Sequence, residues 1–285
     1  MKLVTFRRRH SAREEVGILR GEQVLPLPFA SMNELIQALP SQGFSALPDL
    51  AQPALPLEEL TLLSPIPRPL QDVVCLGLNY TEHAAEAAGY SKEAFGGEAP
   101  APIFFSKRVD YSQGTGAPIP AHRDLTDRLD YENELAVILG RDAYQVSQED
   151  AAQYIFGYTV LNDVSARELQ TRHKQWYFGK SLDGFTPMGP CITTADEIPF
   201  PPKLRIWTTV NGELRQDSNT GMLIHSIAEI ISTLSQGMTL RAGTVIATGT
   251  PKGVIMGMED PHFLQPGDTV VCAIEGIGEL VNTVE

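Results

Sequence analysis

The chain is poor in cysteine and has no long apolar run, and each shortage excludes a class of protein. Its three cysteines, Cys75, Cys191 and Cys272, stand far apart among 285 residues and have apolar neighbours. Buried free thiols fit this pattern better than a disulfide framework. No apolar run approaches the length of a membrane span, and no apolar segment of a secretory signal accompanies the basic N-terminus. These absences predict a cytoplasmic protein that does not enter a membrane.

Basic residues are also scarce. The chain has 22 lysines and arginines against 35 aspartates and glutamates, which gives a net charge of -13. A nucleic-acid-binding surface needs basic patches, and the one dense basic run, Arg7-Arg8-Arg9, fits a solvated loop. We therefore expect no nucleic-acid partner. Acidic residues cluster at 130–134, and this is where a cation is expected to matter.

Residues 1–69 are predicted to form a small N-terminal α/β domain that ends in a connector. Three short strands are predicted, at residues 3–6, 16–19 and 23–27. Ser31 and Glu34 form a capping box for a short helix that ends before Pro40. Seven prolines lie between residues 40 and 69, so we expect little regular structure there.

Residues 70–285 are predicted to form a single, larger domain. Apolar and β-branched runs predict strands at 73–77, 103–106, 135–139, 158–161, 204–210, 244–248 and 269–274. Asn211-Gly212 is a strong hairpin signal, and Ser147 with Asp150 resembles a capping box for a helix through about residue 155. Strand signals outnumber helix signals, and no regular alternation of strand and helix is present. The fold class is therefore predicted to be α+β and β-rich.

Three carboxylates alternate in the stretch LDYENELAVILG, at Asp130, Glu132 and Glu134. Side chains alternate along a strand, so these three share one face and neighbours lie about 6–7 Å apart. At an effective dielectric of about 20, each neighbouring pair repels by roughly 2.5 kcal/mol. A solvated strand end would relieve this repulsion, but the apolar run Leu135–Leu139 draws the strand inward. A site for a hard cation, which prefers carboxylate oxygens, is the functional alternative.

Two further positions carry polar groups that chemistry could use. Asp163 follows the predicted strand at 158–161, where it is either a further ligand or the cap of a helix that starts at Ser165. His83 and Glu86 lie three residues apart in a helix-prone stretch and so share a face. A carboxylate beside an imidazole orients it as a base, although the two also fit an ordinary pair on a helix surface.

Several motifs occur together in one order along the chain. They are LGLNYTEHAAE at 76–86, Glu132-x-Glu134, NDVSARELQ at 162–170, FGKS at 178–181, VNGELRQ at 210–216, TGTPKG at 248–253 and PGDTVVCAIEGIGELVNTV at 266–284. Together they resemble the fumarylacetoacetate hydrolase superfamily, over about residues 70–285. The resemblance implies a mixed β-sandwich roll, a homodimer and a divalent cation, usually Mg²⁺ or Mn²⁺, with Ca²⁺ as a possible substitute.

The resemblance also implies roles for individual residues. The metal ligands are Glu132, Glu134 and Asp163, whereas Asp130 is not at a ligand position and is left as a supporting, capping or exposed residue. The resemblance further supplies a catalytic set and a set of substrate contacts. The catalytic set is His83, Glu86 and Lys180, and the substrate contacts are Lys107, Arg167, Gln170 and Thr250.

The implied substrate is a small 2-oxo carboxylate. We expect hydrolysis of the C–C bond of a 2,4-dioxo acid of the acylpyruvate or fumarylpyruvate type, because the His83–Glu86 pair is suited to activating water. Decarboxylation or tautomerisation of oxaloacetate, and isomerisation or decarboxylation of 2-oxo-dienedioates, use the same cation and lysine. A catalytically silent metal-binding protein is the remote alternative. Four aromatic residues are candidates either for an acyl pocket or for plain core: Tyr90, Phe95, Trp176 and Tyr177.

Overall fold

The computed structural model describes residues 1–39, 43–90 and 101–285. Within these ranges the strands are β1 Lys2–Arg8, β2 Glu15–Arg20, β3 Gln23–Leu27, β4 Leu55–Pro56, β5 Leu60–Leu62, β6 Val73–Gly77, β7 Ile103–Lys107, β8 Leu129–Asp130, β9 Asn133–Leu139, β10 Ile155–Asn162, β11 Ser165–Ala166, β12 Met188–Thr194, β13 Arg205–Val210, β14 Glu213–Asn219, β15 Val245–Ala247, β16 Thr269–Ile274 and β17 Gly278–Thr283. The helices are α1 Met32–Ala38, α2 Thr81–Tyr90, α3 Arg167–Arg172, α4 Tyr177–Lys180 and α5 Ile227–Ser235.

The strands form one large and two small sheets. The large sheet runs β4-β3-β2-β1-β12-β10-β9-β15-β6-β7, and β5 pairs with β1 beside this path. A four-stranded sheet runs β14-β13-β16-β17, and β8 pairs with β11. The large sheet is mixed, because β15 and β6 pair in parallel while its other strand pairs are antiparallel. The predicted β-rich α+β class is confirmed.

Strand β9 is buried on both faces, and this explains its continuous apolar run. Leu135, Val137 and Leu139 point into the core that the large sheet shares with the four-stranded sheet. Ala136 and Ile138 point to the opposite face, where they join the core that contains α1. Alternate side chains of a strand lie on opposite faces, so a strand between two cores must be apolar throughout.

The N-terminal strands extend the sheet of the remaining chain. Lys2 and Leu3 of β1 pair with Thr193 and Ile192 of β12. The predicted boundary at residue 69 therefore falls near the end of the proline-rich connector but does not separate two sheets. That residues 1–69 fold as a unit of their own stays a prediction.

One local prediction was right in part and another was wrong. Ser147 Oγ accepts the N–H of Asp150 at 3.2 Å, but the stretch that follows forms only a 3₁₀ turn, Ala151–Tyr154, because Ile155 already pairs with Leu139 in the sheet. The connector also contributes regular structure, since β5 pairs with β1. The three cysteines are free and buried, as expected. Among the helices of the described ranges, none has the length and apolarity needed to cross a bilayer.

Candidate active site

Three carboxylates converge where two central strands meet the loops. Glu134 lies in β9 opposite Leu161 of β10, and Asp163 directly follows β10. Glu132 lies in the short break between β8 and β9, where its carbonyl accepts the N–H of Asp163 at 2.8 Å. One carboxylate oxygen from each of Glu132, Glu134 and Asp163 lies within 4.8 Å of the others, and all three side chains are buried. This spacing fits a single cation.

Three buried basic side chains contact these carboxylates. Lys180 Nζ lies 2.8 Å from Glu132 Oε2 and 2.8 Å from Asp163 Oδ2. Lys107 donates to the other carboxylate oxygen of Asp163. Arg167 Nη1 donates to Glu132 Oε1 at 2.6 Å. The repulsion expected between the carboxylates is therefore offset by fixed positive charges.

The basic side chains also set the charge of the cluster. Burial opposes ionisation of Glu132, but Lys180 and Arg167 outweigh it and hold the pKa of Glu132 below its usual range. Burial opposes the charge of Lys180 too, yet Asp163 and Glu132 raise the pKa of this lysine above its ordinary value. Burial lowers the pKa of Lys107, because Asp163 only partly offsets the loss of water. Glu132 and Lys180 therefore form a charged pair in the interior.

Glu134 has one carboxylate oxygen that receives no hydrogen bond from the described residues. Burial, followed by the charges of Asp163 and Glu132, raises the pKa of Glu134 well above its ordinary value. Its Oε2 accepts the N–H of Gly249 at 2.7 Å, whereas no described residue donates a hydrogen bond to Oε1. A buried polar atom left unpaired costs about 1–3 kcal/mol. A divalent cation bound by carboxylate oxygens would be the missing partner, so the three residues fit Mg²⁺, Mn²⁺ or Ca²⁺.

Asp130 is buried, and it joins two parts of the site. Its Oδ2 accepts Arg167 Nε at 2.8 Å. Its two oxygens also accept the backbone N–H groups of Ile255 and Met256, at 2.9 and 3.0 Å. Of the three uses left open for Asp130, exposure is wrong. The side chain caps the turn at 255–257 and orients Arg167.

His83 and Glu86 form the predicted pair on α2. His83 Nδ1 lies 3.0 Å from Glu86 Oε2, and Glu86 Oε1 accepts the N–H of Gly253 at 3.1 Å. Gly257 leaves space for this carboxylate, since a Cβ there would lie 2.3 Å from Glu86 Cδ. Because Glu86 holds Nδ1, Nε2 is the nitrogen of His83 left to exchange a proton.

A small cavity connects this pair with the charged cluster. Its volume is about 20 Å³, which is room for about one water molecule. Six of the predicted site residues line it: His83, Glu132, Arg167, Gln170, Lys180 and Thr250. Lys107 is not among the lining residues and lies behind Asp163, with which it is fully buried.

Gln216 is a residue of the site that the sequence analysis did not single out. Its Nε2 donates to Thr250 Oγ1 at 2.9 Å, and its Oε1 accepts the hydroxyl of Thr208 at 2.8 Å. Thr250 in turn donates to the carbonyl of Asn133 at 3.0 Å. Gln216 lies within VNGELRQ, but no local pattern marks it, because Thr250, the residue that connects it to the cavity, is 34 positions away in the chain.

Aromatic side chains form another wall of the cavity. Trp176 and Phe105 pack edge to face, with ring centroids 5.2 Å apart. The indole fills the space above Gly77, where a Cβ would lie 2.3 Å from the ring. Tyr177 is exposed and does not line the cavity. Phe95 and the side chain of Tyr90 lie outside the described residues.

Known proteins resemble this chain over most or all of its length. A family model described as fumarylacetoacetate (FAA) hydrolase, C-terminal, matches residues 72–285. Oxaloacetate tautomerase YisK of Bacillus subtilis strain 168 is 45% identical over 231 residues, which are 80% of this chain and 74% of that protein. A fumarylacetoacetate hydrolase from the psychrophile Exiguobacterium antarcticum is 38% identical with a TM-score of 0.86 over 99% of both chains. A maleylpyruvate hydrolase from Sphingobium sp. SYK-6 is 30% identical with a TM-score of 0.76, over 100% of this chain and 99% of that chain.

Proposed function

The chain belongs to the fumarylacetoacetate hydrolase family, and from that premise we propose that it is a divalent-cation-dependent enzyme that hydrolyses the C3–C4 bond of small 2,4-dioxo acids. The observation that carries this proposal is the hydrogen-bonded His83–Glu86 pair beside a cavity that Lys180 also lines. Hydrolysis needs an activated water as well as a stabilised enolate. The site offers one group for each task.

Glu132, Glu134 and Asp163 would hold the cation. When bound, a divalent ion supplies positive charge that anchors a 2-oxo carboxylate and favours its enolate. Mg²⁺ and Mn²⁺ suit an all-carboxylate site of this size. Ca²⁺ has the same ligand chemistry and is a possible substitute.

His83 is assigned to the water. Its Nδ1 is fixed by Glu86, so Nε2 takes a proton from a water molecule in the cavity. The hydroxide adds to the 4-carbonyl carbon of the substrate, and the C3–C4 bond then breaks with its electron pair going to C3. The products are a carboxylic acid and the enolate of pyruvate, which becomes pyruvate when its C3 takes the proton that His83 received from the water.

Lys180 is assigned to the enolate. Its ammonium group is held by Glu132 and Asp163, and these two carboxylates keep it charged despite burial. A fixed positive charge at the place where negative charge develops stabilises the transition state without reorganisation. Arg167, Gln170 and Thr250 line the same cavity and are proposed to bind the carboxylate and oxo groups of the substrate. Lys107 stays a proposed substrate contact, although it lies behind Asp163.

A second candidate is tautomerisation or decarboxylation of oxaloacetate. The similarity to an oxaloacetate tautomerase favours it. Isomerisation or decarboxylation of a 2-oxo-dienedioate would use the same enolate. These reactions need Lys180 and the cation, but they consume no water.

The test is a comparison of reactions in one variant. We expect Glu86→Ala to lower kcat/KM for acylpyruvate hydrolysis by about 10²–10⁴-fold, the usual loss for a general base, and to lower oxaloacetate turnover less. Loss of enol absorbance and release of pyruvate are followed with Mg²⁺ or Mn²⁺. Glu82→Ala is the matched control, because Glu82 lies on the same helix but pairs with Lys252 on the surface. Acylpyruvate cleavage that survives in Glu86→Ala would leave tautomerase or decarboxylase as the better assignment.

Two expectations stay predictions alongside this proposal, and the same screen tests one remote alternative. That alternative, a catalytically silent metal-binding protein, would bind Mn²⁺ and turn over none of the 2-oxo acids. The homodimer is testable by sedimentation. The cytoplasmic location is testable by fractionation.

A further inference from the structure

Tyr80 has a buried hydroxyl group for which the described residues offer no hydrogen-bond partner. Its side chain is 1% exposed, and among the described residues none forms a hydrogen bond with its Oη. Leaving a buried hydroxyl unpaired costs about 1–3 kcal/mol. Burial, with a smaller contribution from the charge of Glu134, raises the pKa of Tyr80, so the group is a neutral donor. A buried donor of this kind calls for an acceptor, which a bound water, ion or ligand would supply.

The unpaired oxygen of Glu134 lies in the same neighbourhood. The side chain of Asn79 donates to the carbonyl of Thr248 at 2.8 Å. Gly249 packs against Asn79 so closely that a Cβ added to Gly249 would lie 2.8 Å from the Cβ of Asn79. The N–H of Gly249 holds Glu134 Oε2 at 2.7 Å. The chain at 79–80 therefore runs beside the backbone that positions Glu134. Tyr80 Oη and Glu134 Oε1 both lack a hydrogen-bond partner among the described residues, and the charge of Glu134 acts on the pKa of the Tyr80 hydroxyl.

Tyr80 also connects the surroundings of Glu134 with the His83–Glu86 pair. Its carbonyl accepts the N–H of Ala84 at 2.9 Å in the first turn of α2, the helix that carries His83. Leu78, two residues earlier, lines the cavity. Tyr80 therefore occupies the link between the cavity wall and the helix of the proposed base.

We propose that Tyr80 is a positioning residue of the cation site, and that its hydroxyl donates a hydrogen bond to an oxygen that enters together with the divalent cation. The acceptor is either a water molecule of the hydrated ion or the carboxylate of the 2-oxo acid. Both are electron-rich oxygens, and either would accept a hydrogen bond from a donor that has no acceptor in the described part of the chain. The inference rests on the proposed function, because it requires that Glu132, Glu134 and Asp163 bind a cation.

The test uses Tyr80→Phe in the full chain, with Tyr131→Phe as the matched control. Tyr131 is equally buried, but its hydroxyl donates to the carbonyl of Gly253 at 2.7 Å. In the metal-free protein we expect Tyr80→Phe to keep or raise the Tm, because it removes an unpaired hydroxyl. Tyr131→Phe is expected to lower the Tm, because it leaves a carbonyl unpaired. A clear drop in the Tm of metal-free Tyr80→Phe would overturn the proposal, since it would mean that the hydroxyl already has a partner.

The second measurement is calorimetric titration with Mn²⁺, with and without oxalate as a 2-oxo acid analogue. We expect Tyr80→Phe to weaken one of these affinities by about tenfold, which corresponds to one hydrogen bond to a charged or polarised group. Weaker binding of Mn²⁺ alone identifies a water as the acceptor, and weaker binding of oxalate only identifies the carboxylate. Unchanged affinities for both overturn the proposal for Tyr80. Wild-type protein that binds no Mn²⁺ refutes the proposed function instead, so the two failures are distinguishable.

Discussion

Two regions of the molecule pair opposite charges in opposite surroundings. In the N-terminal strands, Arg8 Nε and Nη2 lie 2.8 and 2.9 Å from the two carboxylate oxygens of Glu15, and the arginine is 44% exposed. Beside the cavity, Lys180 makes contacts of the same length with Glu132 and Asp163, and all three side chains are buried. The contact distances are similar, whereas the surroundings of the two sets of charges differ.

The comparison indicates what each set of charges is for. An exposed pair contributes about 0–1 kcal/mol, because water and salt screen it. Removing an ion from water costs several kcal/mol, and a buried pair is often no more stable than apolar residues of similar size. Stability alone therefore gives no reason for a cluster of buried lysine, arginine and carboxylate groups. A cavity that needs fixed charges for chemistry does give one.

The largest expected effect is on stability, and it comes from disrupting the buried contacts of Asp130. Asp130→Asn replaces an acceptor of two backbone N–H groups and removes one of the two carboxylates that pair with Arg167, the other being Glu132. We expect the free energy of unfolding to fall by about 3–5 kcal/mol, as measured by urea denaturation. The control is Asp217→Asn, which breaks the exposed pair with Arg205 and is expected to cost far less. Equal losses in the two variants would remove the distinction between the regions.

The next effect concerns catalysis and separates two lysines that share one carboxylate. Lys180 and Lys107 both contact Asp163, but only Lys180 lines the cavity. We expect Lys180→Met to lower kcat/KM for every 2-oxo acid by about 10²–10³-fold, the loss typical of one charge-stabilising donor. Lys107→Met is expected to reduce stability but to change kcat/KM less. A large rise in KM for Lys107→Met would support the proposed contact of this lysine with the substrate, and an unchanged KM would count against it.

The sequence could predict those parts of the fold that depend on local patterns, but not those that depend on pairing between distant strands. Local patterns were sufficient for β9, whose apolar run is confirmed as a doubly buried strand. They were also sufficient for the hairpin at Asn211 and Gly212, where both φ angles are positive, at 52° and 82°. They failed after Ser147, because pairing with β9 outweighed the local preference for helix. Extension of the sheet by β1 was not predictable either, since it depends on pairing across about 190 residues with β12.

The candidate site could also be predicted only in part. Alternation predicted a shared face for Asp130, Glu132 and Glu134, and the family resemblance implied the roles of Asp163 and Lys180. The partners that hold these groups were not visible, because they come from remote parts of the chain. The N–H groups that Asp130 accepts lie 125 and 126 residues away. No periodicity or short motif encodes contacts of that range.

A smaller effect is expected from weakening the cation site without removing a side chain. Glu132→Gln takes away one negative charge but keeps the shape, and Arg167 and Lys180 then lose part of their compensation. We expect Mn²⁺ to bind about tenfold more weakly, and the rise in Tm that Mn²⁺ gives over a chelator to shrink accordingly. Glu15→Gln, at the surface pair, is the control and should leave the Mn²⁺ titration unchanged. A Mn²⁺ affinity that is the same in Glu132→Gln and wild type would exclude Glu132 as a ligand.

The smallest effect is expected at the surface pair itself. A double-mutant cycle of Arg8→Ala and Glu15→Ala isolates the coupling between the two side chains from their separate contacts with the strands. We expect a coupling free energy of roughly 0.2–1 kcal/mol at low salt. It should nearly vanish in 1 M NaCl, where the screening length is about 3 Å. Salt screens the buried contact of Arg167 with Asp130 much less, so its contribution to the free energy of unfolding should persist in 1 M NaCl. A coupling at Arg8 and Glu15 that is large and insensitive to salt would mean that exposure does not decide what a charge pair contributes in this protein.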